Sequence, residues 1–353
     1  MRITDEQALD MLQSDDLISI GMEADTLRRK LHPGGVASYI IDRNINYTNF
    51  CTEYCSFCAF YRPMGHSEGY LLSKEILHAK IQETIDLGGT GVLMQGGLHP
   101  HLKIEWYEDL MRDLKQNFKI HLHALSAPEI LNIAEISGIT IEQTITRLRD
   151  AGLDSIPGAG AEILDDDVRH KIARLKCKSS EWIDVHRTAH KLGMRTTATM
   201  MFGCGETLTQ RVNHLRLLRE LQDETGGFTA FIPWSFQREN TSLGRFVKEE
   251  TTSVEFLRTL AVCRIYLDNI LNVQTSWVTQ GLKVCQLGLR FGGNDVGSVM
   301  IEENVVYQAG ARNQATEEDL RRIIRDAGFV PKQRDSLYRT YFLNYIGIYS
   351  RRS

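Results

Sequence analysis

Eight short runs of β-branched or apolar residues recur along the chain, and most of them are followed by a stretch with helical periodicity. Successive runs lie roughly 35 residues apart, close to the length of one βα unit of a parallel sheet. Eight such units predict an α/β fold, a (β/α)8 barrel of the TIM type, with a doubly wound open sheet as the alternative. The predicted strands are 39–46, 91–94, 120–124, 153–156, 195–201, 228–232, 272–277 and 295–300.

No segment of the chain resembles a linker, because proline is scarce and neither a Ser/Gly tract nor a charge block divides the sequence. We therefore predict a single domain with an N-terminal helical segment over 1–38, the barrel over 39–335 and a short C-terminal tail over 336–353. The tail is expected to pack along the barrel and is assigned no chemistry. Capping-box spacings predict several helix starts, at Thr4/Gln7, Thr140/Gln143, Thr207/Gln210 and Thr252/Glu255.

Composition narrows the classes of partner. A net charge of -4 gives no basic field of the kind that binding to phosphate backbones needs, so we expect no nucleic-acid partner. The chain begins with acids where a signal peptide would be basic, and no run approaches the roughly 20 apolar residues of a membrane span. We predict a cytoplasmic protein without membrane contact, in which the seven cysteines are reduced thiols.

Three of the seven cysteines crowd into eight positions, as CxxxCxxC at Cys51, Cys55 and Cys58. They follow the first predicted strand, so in a barrel they would lie at the carboxyl-terminal rim, where active sites are built. A 4Fe-4S cluster ordinarily takes four cysteines, so three would leave one iron open to a ligand. The alternative is a zinc site of the Cys3His type, with His66 or a distant histidine as fourth ligand, in a binding protein without catalysis.

The cysteine spacing, with the aromatic Phe57 immediately before the last cysteine, resembles the signature loop of the radical S-adenosylmethionine (radical SAM) enzymes. The resemblance implies a barrel of that superfamily, a 4Fe-4S cluster, and S-adenosylmethionine bound to the open iron. An electron would cleave this cofactor to a 5'-deoxyadenosyl radical. It also implies a strongly reducing electron donor such as flavodoxin or ferredoxin.

Further cofactor contacts follow from the same resemblance. The family places a glycine-rich turn after the second strand, here Gln95, Gly96 and Gly97, whose backbone approaches the methionine part of the cofactor. By itself a Gly-Gly pair is more often only a turn. Glu162, in the segment PGAGAE, matches an acidic residue that the family places near the amino or ribose groups, although it could also be a surface acid before a helix.

Candidate substrate contacts lie at the ends of the predicted strands. His121 and His123 stand two apart at strand spacing, with Ser126 close behind, so the two histidines face one side. They are candidates for acid/base or substrate contacts, or for hydrogen-bonded histidines inside a barrel layer. Three later residues are predicted to be polar or aromatic groups near the substrate: Glu206, Trp234 and Gln237.

Longer blocks between 45 and 338 resemble one family within this class, the cyclic dehypoxanthinyl futalosine synthases of the futalosine route to menaquinone. The blocks include MQGGLHP, PGAGAEIL, TTATMMFG, PWSFQRENTSL and FGGNDVGSVMIEENVV. The segments around Trp234, and around Trp277 and Gln280, favour the cyclising enzyme over its sisters, aminofutalosine synthase and the FO synthase subunits. Two residues depart from the expected pattern, Cys204 and Leu282.

The resemblance implies an intramolecular reaction on a futalosine derivative. The radical would remove a hydrogen from the ribose of the substrate, and the sugar radical would attack the attached aromatic ring. Loss of an electron and a proton would then give a cyclic spiro product. Such chemistry needs a closed cavity, a base for the last proton and donors for the substrate carboxylate. The candidate bases are His123, Glu206 and Asp295, which the sequence does not rank.

Overall fold

The computed structural model describes residues 2–339, and within them thirteen helices surround parallel strands. The helices are α1 (Asp5–Gln13), α2 (Leu17–Leu31), α3 (Lys74–Asp86), α4 (Ile104–Asn117), α5 (Ala127–Ser137), α6 (Ile141–Ala151), α7 (Asp166–Ile172), α8 (Ser179–Lys191), α9 (Leu208–Thr225), α10 (Ser253–Tyr266), α11 (Trp277–Gly288), α12 (Val305–Gln308) and α13 (Glu317–Asp326). Their buried residues recur at helical spacing, as Thr144, Ile145, Leu148 and Ala151 do on α6. Each such helix therefore packs one apolar stripe towards the strands.

The strands form two sheets in which every pairing is parallel. They are β1 (Val36–Ile40), β2 (Asp42–Ile45), β3 (Gly91–Met94), β4 (His121–Ala124), β5 (Ser155–Ile156), β6 (Arg195–Phe202), β7 (Phe228–Ser235), β8 (Asn272–Val273), β9 (Asp295–Ser298) and β10 (Val330–Gln333). A seven-stranded sheet runs in chain order from β2 to β8. A three-stranded sheet has the order β10-β1-β9.

The two sheets are joined into one ring. β1 and β2 are halves of one extended segment divided at Ile41, so β1 lies in the smaller sheet while β2 begins the larger one. At the other end of the larger sheet, Gln274 follows β8 and bridges to Asp295 of β9, and β9 pairs with β1. Backbone pairing therefore passes through all eight predicted strand positions, which confirms the predicted parallel α/β barrel.

β10 was not predicted. It pairs with β1 from Val36↔Val330 to Tyr39↔Gln333, at the amino-terminal half of the first strand. Its sequence, VPKQ, contains a proline and has no apolar alternation, so the segment lacks the pattern of a strand. Pro331 is compatible with this position because β10 lies at an edge of its sheet and makes all its pairs on one side.

The N-terminal helices pack against the barrel, with α2 against α10 and α1 against α9. The predicted capping boxes form at Thr4, Thr140 and Thr207, and the Thr252 hydroxyl accepts from the Glu255 N–H. Within residues 2–339, no helix combines the length and apolarity needed to cross a bilayer. The predicted domain bounds remain a prediction, and 340–353 of the predicted tail lie outside the described residues.

Candidate active site

The barrel encloses a cavity of about 420 Å³ that runs from the cysteine loop into the ring of strands. Its walls are mostly apolar, and its polar groups come from several different elements, as expected of a small-molecule site. Cys51, Cys55 and Cys58 all line this cavity. The structure therefore brings the three predicted metal ligands to the same space as the barrel interior.

The cysteine loop is held in place by backbone hydrogen bonds to segments distant in sequence. The Cys51 N–H donates to the carbonyl of Arg62 at 3.1 Å, and the Thr52 N–H donates to that of Leu98 at 3.2 Å. The N–H of Ser56 donates to the carbonyl of Ile172 at 2.8 Å. Because these bonds fix both ends of the loop, the three sulfurs are positioned by the fold before any ligand binds.

Burial raises the pKa of each of the three thiols above its ordinary value. The charges of the neighbouring Cys58 and Cys51 thiolates raise the pKa of Cys55 further. Such thiols favour the thiolate form when a metal centre compensates their charge. The soft three-sulfur donor set fits an iron–sulfur cluster.

The zinc alternative finds no support in the geometry. It needs four ligands around a single ion. Within residues 2–339, no three His, Cys, Asp or Glu side chains converge closely enough to hold a single metal ion. A cluster makes no such demand, because each cysteine binds a different iron.

Gly96 and Gly97 pack against the cysteine loop rather than forming a turn with positive φ. A Cβ on Gly97 would lie 2.2 Å from the carbonyl oxygen of Phe50 and 2.7 Å from the Cβ of Cys51. A Cβ on Gly96 would lie 2.6 Å from the ring of Tyr47. Glycine is therefore required at both positions by close approach, and the segment braces the loop that carries the cysteines.

Glu129 accepts hydrogen bonds from both this glycine segment and Ser126, which lies just after β4. One carboxylate oxygen accepts from the Gly96 N–H at 2.9 Å and from the Tyr47 hydroxyl at 2.7 Å. The other accepts from both the N–H and the hydroxyl of Ser126, at 2.7 and 2.6 Å. Glu129 and Ser126 both line the cavity, and the Ser126 hydroxyl is already committed to this network. A capping-box position is the one sequence pattern that could have pointed to Glu129.

Glu162 lines the cavity in a backbone conformation that is rare for a non-glycine residue, with φ 40°. Its Oε1 accepts from Lys176 at 3.0 Å, while the buried Oε2 has no hydrogen-bond partner and lies 3.8 Å from Arg169. Burial lowers the pKa of Lys176, but the neighbouring Glu162 carboxylate acts in the opposite direction, and the net result is a pKa above its usual value. Lys176 also lies 5.3 Å from the Phe57 ring centroid, so a buried cation stands beside the cysteine loop.

His121 and His123 share one hydroxyl. His121 Nε2 and His123 Nδ1 each lie 2.7 Å from the Oγ of Ser155, and only His123 lines the cavity. Burial, reinforced by the charge of His121, lowers the pKa of His123 to about 3. His123 is thus a neutral imidazole inside a barrel layer and a weak base.

The other two predicted bases do not line the cavity. Glu206 receives the N–H groups of Gly203 and Cys204 and pairs with Arg211 at 2.6 Å. Asp295 is fully buried, with both oxygens bound by Arg334 at 2.6 and 3.0 Å. The contact of these two carboxylates with substrate stays a prediction, and each is paired with an arginine that the sequence did not link to it.

Trp234 lines the cavity, whereas Gln237, Trp277 and Gln280 do not. The Trp277 ring nitrogen donates to the carbonyl of Ser298 at 2.9 Å, and the side chain is 2% exposed. The amide of Gln280 donates to the Ser235 hydroxyl at 2.5 Å. The Gln237 amide donates to the carbonyl of Ser235 at 3.0 Å. These three residues hydrogen-bond to Ser235 or Ser298, and their contact with substrate stays a prediction.

Several cavity residues have no counterpart among the predicted site residues. Lys176 lies in a lysine-rich segment that is typical of a solvated surface. The C-terminal segment reaches the cavity with Arg334, Ser336 and Tyr338, close to the amino-terminal end of β3. From β2, Asp42 and Asn44 line the same space. Strand alternation alone could have identified the last two as inward-facing.

Comparison with known proteins identifies the family. Residues 45–218 match the radical SAM superfamily, and residues 225–344 match the CofH/MqnC C-terminal region. Members of this superfamily use S-adenosylmethionine and an iron–sulfur cluster, which agrees with the cysteine loop at the cavity.

Relatives with three different names match nearly the whole chain. A cyclic dehypoxanthine futalosine synthase of Halalkalibacterium halodurans is 46% identical, over 96% of this chain and 91% of the relative. A 5-amino-6-(D-ribitylamino)uracil–L-tyrosine 4-hydroxyphenyl transferase of Archaeoglobus fulgidus is 41% identical, over 93% and 96%. An aminodeoxyfutalosine synthase of Thermus thermophilus is 39% identical, over 96% and 92%.

Among solved structures, methylornithine synthase has the same fold, with a TM-score of 0.73 over 94% of each chain at 18% identity. The predicted fold class and cysteine loop thus agree with the family models and with the relatives. The chain belongs to the radical SAM superfamily and, within it, to the enzymes that carry the CofH/MqnC C-terminal region.

Proposed function

We propose that this radical SAM enzyme converts dehypoxanthine futalosine into its cyclic form in menaquinone biosynthesis. The observation that carries the proposal is the near-complete match, at 46% identity, to a relative with that printed name. Relatives with the two other names are less similar, at 41% and 39%. The geometry is consistent with it, because the three cysteines open onto an enclosed, largely apolar cavity.

Cys51, Cys55 and Cys58 would hold a 4Fe-4S cluster, and S-adenosylmethionine would occupy the neighbouring part of the cavity. When bound, the two cofactors supply a 5'-deoxyadenosyl radical. The unpartnered Oε2 of Glu162 is an acceptor suited to the amino group of S-adenosylmethionine. Gln95, Gly96 and Gly97 present backbone to the same space. A reducing protein such as flavodoxin or ferredoxin would supply the electron in the cytoplasm.

The remaining cavity would hold the substrate away from water. Trp234 and Ile232 contribute apolar wall, and Asn44 contributes a polar side chain near the barrel interior. Enclosure matters because a carbon radical reacts with whatever lies next to it, so a dry cavity limits it to the bound substrate. In the overall reaction the substrate loses two hydrogens, one as an atom to the deoxyadenosyl carbon and the other as a proton plus an electron.

Anaerobically reconstituted protein should convert dehypoxanthine futalosine and S-adenosylmethionine to 5'-deoxyadenosine, methionine and a product two hydrogens lighter than the substrate. Mass spectrometry of the quenched reaction measures all three. Protein without iron is the control. If deoxyadenosine forms only with an enolpyruvyl benzoate substrate, an aminofutalosine synthase replaces this proposal. A colourless protein with one zinc would contradict both.

Replacement of Lys176 by methionine should weaken S-adenosylmethionine binding by about tenfold to a hundredfold, because it removes the buried cation beside Glu162. The negative charge of Glu162 and the cluster thiolates would then repel the cofactor carboxylate. The dissociation constant can be measured by equilibrium dialysis with labelled cofactor. The exposed Lys171, changed in the same way, is the matched control. Equal affinity in both variants would contradict this role.

A further inference from the structure

The cyclisation proposed above needs a group that accepts the last proton, and the predicted bases are poorly suited to it. Glu206 and Asp295 are each neutralised by an arginine and do not line the cavity. His123 does line it, but its pKa of about 3 makes it a weak base. The proton acceptor must therefore be sought among the other carboxylates that line the cavity.

Four carboxylates besides Asp42 line the cavity: Glu53, Glu129, Glu162 and Glu303. Glu129 already accepts four hydrogen bonds, and Glu162 is paired with Lys176. Glu303 accepts from the Asn44 amide and from the Val306 N–H, both at 2.7 Å. Glu53 lies within the cysteine loop, two residues from Cys51. Glu129, Glu162 and Glu303 are thus engaged by neighbouring groups. Glu53, whose buried Oε2 has no hydrogen-bond partner among the described residues, lies at the cysteine loop, where the cofactor is expected.

Asp42 points into the barrel. Alternate residues of the first strand, Ile40, Asp42 and Asn44, line the cavity, as the two-residue period of a strand requires. The intervening Arg43 points the other way, where it donates to the Lys80 carbonyl and to Glu83 on α3. Asp42 therefore lies on the inner face of the ring, nine positions before the first cysteine.

The Asp42 carboxylate borders the cavity and lies near the Ser298 hydroxyl. It is partly exposed, although it lies deep within the barrel, because it borders the cavity. Among residues 2–339, no ion pair engages it, and the Ser298 hydroxyl donates to its backbone carbonyl at 3.4 Å. Two charged groups influence the pKa of Asp42, Arg334 and Asp295, and these are paired with each other. The guanidinium carbon of Arg334 lies 3.8 Å from the centroid of the Tyr338 ring.

Its electrostatic environment supports a role as base. Burial raises the pKa of Asp42 above its ordinary value, and the Asp295 charge acts in the same direction. The Ser298 hydroxyl and the Arg334 charge oppose the shift without cancelling it. A carboxylate with a raised pKa holds a proton better than a solvated one, which brings it closer to the working range of a general base.

We infer that Asp42 is the proton acceptor of the final step of the cyclisation, an inference that rests on the function proposed above. After the sugar radical has bonded to the aromatic ring, the carbon–hydrogen bond at the attacked carbon breaks. Its proton goes to a carboxylate oxygen of Asp42. The electron left on the ring would pass to a one-electron oxidant of the iron–sulfur class, which restores the aromatic ring.

Asp42→Asn tests this role, because it keeps the shape and removes the base. With substrate deuterated on the ribose, the variant should still transfer deuterium to 5'-deoxyadenosine. Its rate of cyclic product formation should fall by on the order of 10²-fold or more. Its iron content and its substrate dissociation constant should stay at wild-type values. Asp42→Glu should restore part of the rate, and the exposed Asp10→Asn should change nothing.

The pH profile gives an independent readout. Because the base must be ionised, wild-type turnover should rise with pH through an apparent pKa above that of an ordinary aspartate, and Asp42→Asn should lack this limb. Cyclisation by Asp42→Asn within threefold of wild type would overturn the inference. So would a variant that loses substrate affinity and deuterium transfer together. If wild-type protein makes no cyclic product, the proposed function fails instead.

Discussion

The Cys55→Ala variant should remain colourless after anaerobic reconstitution. Its iron content should fall from about four atoms per chain to near zero. Cys55 is the most buried of the three cysteines and lies between the other two in the loop. Two thiolates leave half of the irons of a cubane without protein ligands, so the cluster should not persist. Deoxyadenosine formation should fall to the background of iron-free protein. Iron analysis and the visible spectrum measure the loss directly.

The same replacement at Cys177 and at Cys263 supplies the matched control. Cys263 is buried within α10, and Cys177 lies outside the cavity lining, where its carbonyl accepts from Arg169. Both variants should keep the wild-type iron content, and Cys51→Ala and Cys58→Ala should behave like Cys55→Ala. Equal iron loss from both groups would mean that the ligands have been misassigned.

The second large effect is expected from a single added carbon. In Gly97→Ala the new methyl group would lie 2.2 Å from the Phe50 carbonyl oxygen and 2.7 Å from the Cys51 Cβ. Neither atom is the end of a flexible side chain, so the backbone of the cysteine loop must move. Overpacking of this kind costs about 1–3 kcal/mol, and here the displacement falls on a metal ligand. We expect less than about half of the wild-type iron after identical reconstitution, and a corresponding loss of activity.

Gly34→Ala is the control for this variant. A Cβ on Gly34 would meet nothing within 4 Å, and its φ lies outside the left-handed region. Its iron content and thermal stability should match wild type. Gly97→Ala with full iron content would show that the loop can shift without losing its cluster, and the bracing role of the glycine segment would be wrong.

The fold was predictable from sequence to the extent that it depends on local patterns. All eight predicted strand positions are confirmed, because buried strands and amphipathic helices each leave a periodic signature. The division of the first strand at Ile41 and the pairing of β10 with β1 left no such signature. They depend on contacts between residues almost 300 positions apart, which a local pattern does not encode.

The site residues likewise fall into those that the sequence could predict and those that it could not. The cysteines and Gly97 were identifiable because their chemistry or their size is restricted at each position. The arginine partners of Glu206 and Asp295 could not be predicted, because a carboxylate near a strand end has the same sequence appearance whether or not an arginine neutralises it. Arg334 lies 39 residues from Asp295 along the chain. Asp42 was overlooked because it lies in an ordinary strand, and only the structure shows that it lines the cavity without an ion-pair partner among residues 2–339.

The pairing of β10 with β1 has a consequence for the order in which the enzyme is completed during synthesis. The cysteine loop emerges from the ribosome before Arg334, Ser336 and Tyr338, which line the same cavity but follow the loop by more than half the length of the chain. A nascent chain that ends before Val330 would carry all three cluster ligands but lack the arginine that neutralises Asp295. A chain that already carries all three cluster ligands and the ring of strands therefore gains the remaining part of its cavity wall only when β10 docks against β1.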